Sequence, residues 1–199
     1  MNTQNIFIIG NPRSGTSLFR MMMGSHSSIV VPPECGFIQW WFKTYGSWTI
    51  ENSKSKANTK AFISDLKTSK KIETWELDYV ELENLISTKN PKTYKELTSL
   101  VIQQYAIQNG KTASVLGDKN NYYIDYLELL NSIYSDAKYL IIVRDCRDVV
   151  CSYLNVNKLT SNSKYKPKFP KTVREISLEW FIVKLLRKFC LGCQKRFRR

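Results

Sequence analysis

The stretch that decides the fold is Asn5-Ile-Phe-Ile-Ile-Gly-Asn-Pro-Arg-Ser-Gly-Thr-Ser17. Its apolar run predicts a buried strand, and the residues that follow predict a glycine-bounded loop leading into a helix. Gly10 and Gly15 are separated by four residues, the spacing of a P-loop, and that pattern next requires a lysine and then a serine or threonine. Ser17 fills the last position, but Thr16 stands where the lysine is expected. Because that lysine contacts the terminal phosphates of a nucleoside triphosphate, its replacement indicates a different phosphorylated donor.

The polar side chains of this loop are suited to binding an anion. Backbone N–H groups in such a turn point into one hollow, where the dipole of the next helix favours negative charge. Ser14, Thr16 and Ser17 add hydroxyl donors, and Arg13 adds a planar cation that matches phosphate or sulfate oxygens. The alternative is an ordinary strand-to-helix turn with a helix cap. The glycine spacing favours an anion site made by Arg13, Ser14, Gly15, Thr16 and Ser17.

A second polar segment, Val143-Arg-Asp-Cys-Arg-Asp-Val-Val-Cys-Ser-Tyr153, begins where an apolar strand ends. Arg144 is the first polar residue past that strand and is expected at the rim of the sheet. Ser152 lies seven residues after Asp145, about two helical turns, and therefore on the same helix face. Arg144 and Ser152 could hold one phosphate from two sides. Alternatively, Asp145 and Asp148 only complement the helix N-terminus, while Arg144 pairs with a surface carboxylate.

Strands and helices alternate at both ends of the chain, which predicts an α/β fold: a P-loop-like three-layer α/β/α arrangement with a central parallel sheet. Strands are expected at 4–9, 114–117 and 138–143, with an extended piece at 29–31. Helices are expected at 15–24, 122–134 and 145–156. Because ligands bind beyond the carboxyl ends of parallel strands, the first loop and the Val143–Arg144 junction are expected to share one rim.

The middle segment, 35–110, is expected to be helical and irregular. It contains helix candidates at 81–87 and 94–108, and a polar, lysine-rich stretch at 51–71 that is interpreted as a surface excursion. On the first helix, four apolar residues are expected to pack in the core: Leu18, Phe19, Met22 and Met23.

The composition indicates one domain spanning 1–199, because 199 residues are enough for one well-buried core and few for two. The net charge of +13 suits an anionic partner, but no basic–aromatic module indicates nucleic acid. No signal peptide and no apolar stretch of about 18 residues is visible, so no membrane span is expected. Five cysteines, an odd number, favour a reducing compartment, and a cytoplasmic location is predicted. No metal is expected, since Cys190-Leu-Gly-Cys193 lacks a second pair of zinc ligands.

Taken together, the two polar segments resemble the sulfotransferase family, whose members transfer a sulfuryl group from 3'-phosphoadenosine-5'-phosphosulfate (PAPS). Pro12–Leu18 resembles the family's 5'-phosphosulfate-binding loop, and Arg144–Ser152 resembles its 3'-phosphate-binding segment. The resemblance extends to Ser25–Glu34 and, more weakly, to Leu116–Lys119. It is greatest to the bacterial branch, which is similar to the tyrosylprotein sulfotransferases.

This resemblance implies an in-line displacement at sulfur and assigns roles to residues. Glu34 would be the general base that takes the acceptor's proton. Arg13 would stabilise the leaving phosphate, and Lys119 the transferred group or the bridging oxygen. Arg144 and Ser152 would hold the 3'-phosphate that distinguishes PAPS from ATP.

Each of these roles has a structural alternative. Glu34 could be a helix cap or a surface carboxylate after two prolines, and Lys119 could be a solvated turn residue. The sole histidine, His26, resembles the branch's helix-capping histidine and is interpreted as structural.

The chain departs from the family at its end, where 184–199 is interpreted as a basic tail on a shortened C-terminus. The acceptor would carry a hydroxyl, and carbohydrates, lipids, peptides and small molecules all remain open. Two competing hypotheses remain. One is a P-loop-like nucleotide-binding protein with a degenerate Walker A motif; the other is a catalytically inactive, truncated sulfotransferase.

Overall fold

A computed structural model describes residues 3–157 and 170–181 of the chain. Its centre is a four-stranded parallel sheet with the order β2-β3-β1-β4. The strands are β1 (Gln4–Gly10), β2 (Ile29–Val30), β3 (Val115–Lys119) and β4 (Lys138–Ile142). The predicted α/β fold with a central parallel sheet is therefore confirmed.

The register of the sheet brings the ends of its strands to one edge. Ile8 of β1 lies opposite Lys119, the last residue of β3. Gly10 lies opposite Ile142, the last residue of β4. The chain after β1, β3 and β4 therefore leaves the sheet at the same rim, as predicted for the first loop and the Val143–Arg144 junction.

Eight α-helices and two 3-10 helices lie in the part of the chain that the structure describes, besides a helical stretch at 173–181. The α-helices are α1 (Thr16–Gly24), α2 (Phe37–Tyr45), α3 (Ile50–Lys54), α4 (Lys56–Lys67), α5 (Tyr79–Lys89), α6 (Tyr94–Gln108), α7 (Leu127–Ile133) and α8 (Cys146–Asn157). The 3-10 helices are Ile72–Trp75 and Asn121–Tyr126. None of the helices within these described ranges has the length and apolarity needed to cross a membrane.

Both faces of β1 are buried, which explains its uninterrupted apolar sequence. Phe7 and Ile9 belong to the main core, which they share with the helices of the middle segment. Ile6 and Ile8 face the other side, where Phe19 of α1 packs against them. Alternation of side chains along a strand sends neighbours to opposite faces, and helices cover each face.

The prediction that the whole apolar set on α1 packs in the core was wrong. Phe19 and Met23 contact the sheet, but Leu18 and Met22 are 63% and 61% exposed. Residues four apart share a helix face, so the two pairs belong to two neighbouring faces. Only one of those faces meets the sheet in the part of the chain that the structure describes.

The interpretation of 51–71 as a surface excursion was also wrong. This stretch forms α3 and α4, and Phe62, Ile63 and Leu66 of α4 are buried in the main core. The lysines occupy the outer faces of these helices and mask a short apolar stripe with helical spacing.

Candidate active site

The loop after β1 is a tight turn with two residues in the left-handed region. Arg13 and Gly15 adopt left-handed conformations, with φ of 68° and 90°. The Ser14 N–H donates to the carbonyl of Asn11 at 3.1 Å and closes the turn. A non-glycine residue in the left-handed region is uncommon and carries a conformational cost, which Arg13 bears here.

Gly10 is required by close packing at the start of this loop. A Cβ atom at that position would lie 2.5 Å from Cγ2 of Thr16 and 3.1 Å from the carbonyl oxygen of Ile142. Loop, helix and β4 therefore approach one another as closely as a glycine allows.

Among the loop hydroxyls, Ser14 is the most informative. The residue is 7% exposed, yet its Oγ finds no hydrogen-bond partner among the residues that the structure describes. Thr16 Oγ1 donates to Oδ1 of Asn121 at 3.2 Å, and Ser17 is exposed in the first turn of α1. Buried polar atoms are normally paired, so the unpaired Ser14 hydroxyl is unusual.

The second predicted segment lies directly against this loop. Arg13 Nε donates to Ser152 Oγ at 3.0 Å, and Arg144 Nη1 donates to the carbonyl of Arg13 at 3.1 Å. Residues 139 positions apart in sequence thus form one cationic rim. The alternative pairing occurs as well, because Arg144 Nε lies 3.5 Å from Oδ2 of Asp148. Asp145 accepts from the backbone N–H of Arg147 at 2.8 Å in the first turn of α8, as the alternative predicted, and its pairing with the Arg147 side chain and this bond lower the pKa of Asp145 to about 2.

Glu34 is held by three groups from three parts of the chain. Oε2 accepts from Nζ of Lys119 at 3.3 Å and from Nζ of Lys71 at 3.4 Å, while Oε1 accepts from the N–H of Asn121 at 3.4 Å. Burial raises the pKa of Glu34, but the two lysines and the Asn121 N–H outweigh it and bring the pKa below its ordinary value. The carboxylate is therefore ionised at neutral pH.

Lys119 ends β3 and is not a solvated turn residue. The strand runs two residues further than predicted, and the side chain of Lys119 is only 3% exposed. Burial lowers the pKa of Lys119, and the attraction of Glu34 opposes this shift. The alternative of a solvated turn for Lys119 is thus wrong, because this side chain is buried and forms an ion pair with Glu34, whose own side chain is 24% exposed.

Beneath this ion pair lies a fully buried carboxyl group, Asp118. Its Oδ1 accepts from the N–H of Lys119 at 2.7 Å, and its Oδ2 accepts from the hydroxyl of Tyr123. Burial raises the pKa of Asp118 to about 7, although both hydrogen bonds lower it. These two hydrogen bonds hold Asp118, and with it the end of β3, in place.

Sequence reasoning missed Lys71, Asn121 and Asp118 as site residues. Lys71 lies among several lysines and Asn121 acts through its backbone, so neither carries a spacing signal. Asp118 adjoins Lys119 in the segment that resembles the family, which was the one available signal. His26 lies after α1, and its Nδ1 accepts from the N–H of Ser28 at 3.1 Å, outside this constellation.

Comparisons with known proteins show the family to which the chain belongs. A model of the sulfotransferase family matches residues 5–187. A putative protein-tyrosine sulfotransferase of Caenorhabditis briggsae is 22% identical over 151 residues, which are 76% of this chain and 43% of that protein. The sulfotransferase domain from the curacin biosynthetic pathway is similar in fold, with a TM-score of 0.51 and 18% identity over 96% of this chain and 63% of that one. The chain thus spans less than half of its worm relative and under two thirds of that solved structure. The match of the family model over most of the chain establishes that the protein belongs to the sulfotransferase family.

Proposed function

We propose that this protein transfers a sulfuryl group from PAPS to an acceptor hydroxyl by in-line displacement. The proposal rests on one observation: the two predicted anion-binding segments are in contact. The Arg13–Ser152 and Arg144–Arg13 hydrogen bonds join them. The two segments meet at the rim where β1 and β4 end. Glu34 pairs with Lys119, the last residue of β3, which is the other neighbour of β1.

The donor would be bound in two parts. Arg13, Ser14, Gly15, Thr16 and Ser17 would hold the 5'-phosphosulfate, and the unpartnered Ser14 hydroxyl supports this assignment. Arg144 and Ser152 would hold the 3'-phosphate. This division explains Thr16 at the position of the Walker lysine, because the donor carries no triphosphate.

In the reaction, the acceptor oxygen forms a bond to sulfur as the bond between sulfur and the phosphate oxygen breaks. Glu34 takes the acceptor's proton, and adenosine 3',5'-bisphosphate (PAP) leaves with the electron pair of the broken bond. Lys119 and Arg13 stabilise the negative charge on the transferred group and on the leaving phosphate. Little else is required, because this chemistry depends mainly on position and charge.

The acceptor class is proposed from the worm relative, whose name specifies protein tyrosine. A phenolic hydroxyl in a peptide is therefore the first acceptor to test, before carbohydrates, lipids and small alcohols. A cytoplasmic location is proposed with it, since the cysteine count is odd and the three cysteines that the structure describes are free.

Two measurements on the full chain test the proposal. Calorimetry should show that PAP binds and that ATP competes poorly, because ATP lacks the 3'-phosphate. Labelled PAPS with a panel of acceptors should then reveal sulfate transfer that Glu34→Gln abolishes while PAP binding persists. Glu51→Gln, at an exposed position on α3, is the matched control.

The outcomes separate the competing hypotheses. ATP binding as tight as PAP binding would favour a degenerate P-loop nucleotide-binding protein. PAP binding without transfer to any acceptor would favour an inactive member of the family. No heat at millimolar PAP would contradict the donor assignment altogether.

A further inference from the structure

The middle helical segment sends one side chain into the candidate active site. Lys71 follows α4 and precedes the 3-10 helix Ile72–Trp75, and its Nζ lies 3.4 Å from Oε2 of Glu34. Its backbone is left-handed, with φ of 72°, which disfavours any residue with a Cβ atom. The chain therefore adopts a costly conformation at the residue that reaches Glu34.

Hydrogen bonds hold the chain on both sides of Lys71. Before it, Trp41 Nε1 donates to Ser69 Oγ at 2.8 Å. After it, the buried indole of Trp75 donates to the carbonyl of Pro33 at 2.8 Å, and Gln108 Nε2 donates to the carbonyl of Trp75 at 2.7 Å. The Trp75 bond ends on the residue immediately before Glu34, so this turn is docked onto the segment that carries the carboxylate.

The contacts of Glu34 leave one part of the carboxylate available. A carboxylate has about four acceptor positions, two on each oxygen. Within the described chain, the two lysines fill both positions on Oε2, and the N–H of Asn121 fills one on Oε1. The remaining position is on Oε1.

We propose that Lys71 is a positioning residue for sulfuryl transfer: it occupies the second acceptor position of Glu34 Oε2 and thereby directs the acceptor hydroxyl to Oε1. The inference rests on the proposed role of Glu34 as the base. It gives the middle segment a part in the chemistry, since this segment supplies the second cation that holds the carboxylate.

The charged groups around Glu34 determine how Lys71 can be tested. Lys119 and Lys71 favour its ionised form directly. Arg20 on α1 lowers the pKa of Lys119, and Asp118 lies behind the pair with a pKa of about 7, so Asp118 is mostly protonated in mild acid. Removal of Lys71 leaves one cation in direct contact, so the pKa of Glu34 rises and a larger fraction is protonated in mild acid.

The experiment compares Lys71→Met and Lys71→Arg with Lys70→Met, which removes the same charge from the neighbouring exposed residue. One measurement is the pH dependence of kcat/KM with PAPS and the best acceptor. The other is the pKa of Glu34 by NMR titration of protein with labelled glutamate, which needs no activity. Lys71→Met should move the acid limb and the NMR pKa upward by about one unit, a tenfold change in protonation. Lys71→Arg should move both less, and Lys70→Met neither.

The results distinguish this inference from the function on which it rests. An unchanged NMR pKa in Lys71→Met would overturn the role of Lys71. A raised pKa with an unmoved acid limb would show that Glu34 is not the base, and would overturn both proposals. If the wild-type protein transfers no sulfate, a raised Glu34 pKa in Lys71→Met would support the Lys71–Glu34 contact but contradict the proposed function. Lys71→Gln replaces Lys71→Met if the latter does not fold.

Discussion

Adjacent residues at the end of β3 have opposite surroundings, and this contrast decides what each can do. The side chain of Lys119 meets Glu34 in a pair that is partly open to solvent, whereas Asp118 is fully buried. The resemblance to the family gave Glu34 and Lys119 separate roles, and the structure brings the two side chains together as an ion pair. The burial of Asp118 was not predictable, because a strand end gives no signal of what lies beneath it.

Asp118 should make the stability of the protein depend on pH. Its pKa is about 7 when folded and near 3.8 when exposed, so the folded state binds this proton more tightly. The stabilisation that protonated Asp118 contributes is complete below the pKa of the unfolded state and is lost as the pH rises towards 7. We expect the free energy of unfolding to fall across this range by up to about 1.4 kcal/mol per pH unit.

Denaturant unfolding at about pH 5 and about pH 8 checks this prediction. Asp118→Asn should flatten the dependence, whereas Asp125→Asn at an exposed position should retain it. Glu34 contributes in the opposite sense, and only below its ordinary value of 4.5. An equally steep profile in Asp118→Asn would show that another group is responsible.

Among the helices, the predicted bounds were most accurate where the apolar spacing ran over several turns and a capping residue marked the start. The bounds of α6 are those predicted, because fifteen residues give several turns of apolar spacing after a Thr93 cap. The stretch 122–134 was predicted as one helix but is a 3-10 helix followed by α7. Apolar spacing does not separate the two helix types over a few residues.

The junction of β1, its loop and α1 should tolerate no side chain at Gly10. Gly10→Ala would force Thr16 or β4 to move, at a cost of about 1–3 kcal/mol, and should weaken PAP binding. Gly24→Ala is the matched control, since no described atom lies within 4 Å of the new Cβ at the end of α1. There we expect unchanged PAP affinity and a change in stability within about 1 kcal/mol. Thermal unfolding measures the change in stability, and calorimetry measures the PAP affinity. Equal effects of Gly10→Ala and Gly24→Ala would refute the packing argument.

The molecule as a whole carries a net charge of +13, and its candidate donor site is lined by arginines. Binding of PAP should therefore weaken with added salt, as the screening length falls from about 10 Å at 0.1 M to about 3 Å at 1 M. Calorimetric titrations across this range test the expectation. Arg144→Met should bind PAP less tightly and with a shallower salt dependence. An affinity indifferent to salt would argue against anion recognition by this rim.

The amino-acid sequence by itself determined the α/β alternation, the strand–loop–helix start and the two polar segments at strand ends. These features are local, since they depend on periodicity, glycine spacing and the first polar residue after an apolar run. It could not determine the layout of the middle segment, because the lysines of 51–71 mask the buried face of α4.

Only the tertiary structure decided which distant residues meet. The parallel register brings Arg13 to Ser152 and Glu34 to Lys119, and the docking of Trp75 on Pro33 brings Lys71 to the same carboxylate. Such contacts join parts of the chain between 37 and 139 residues apart. They depend on packing between elements, which no local pattern encodes.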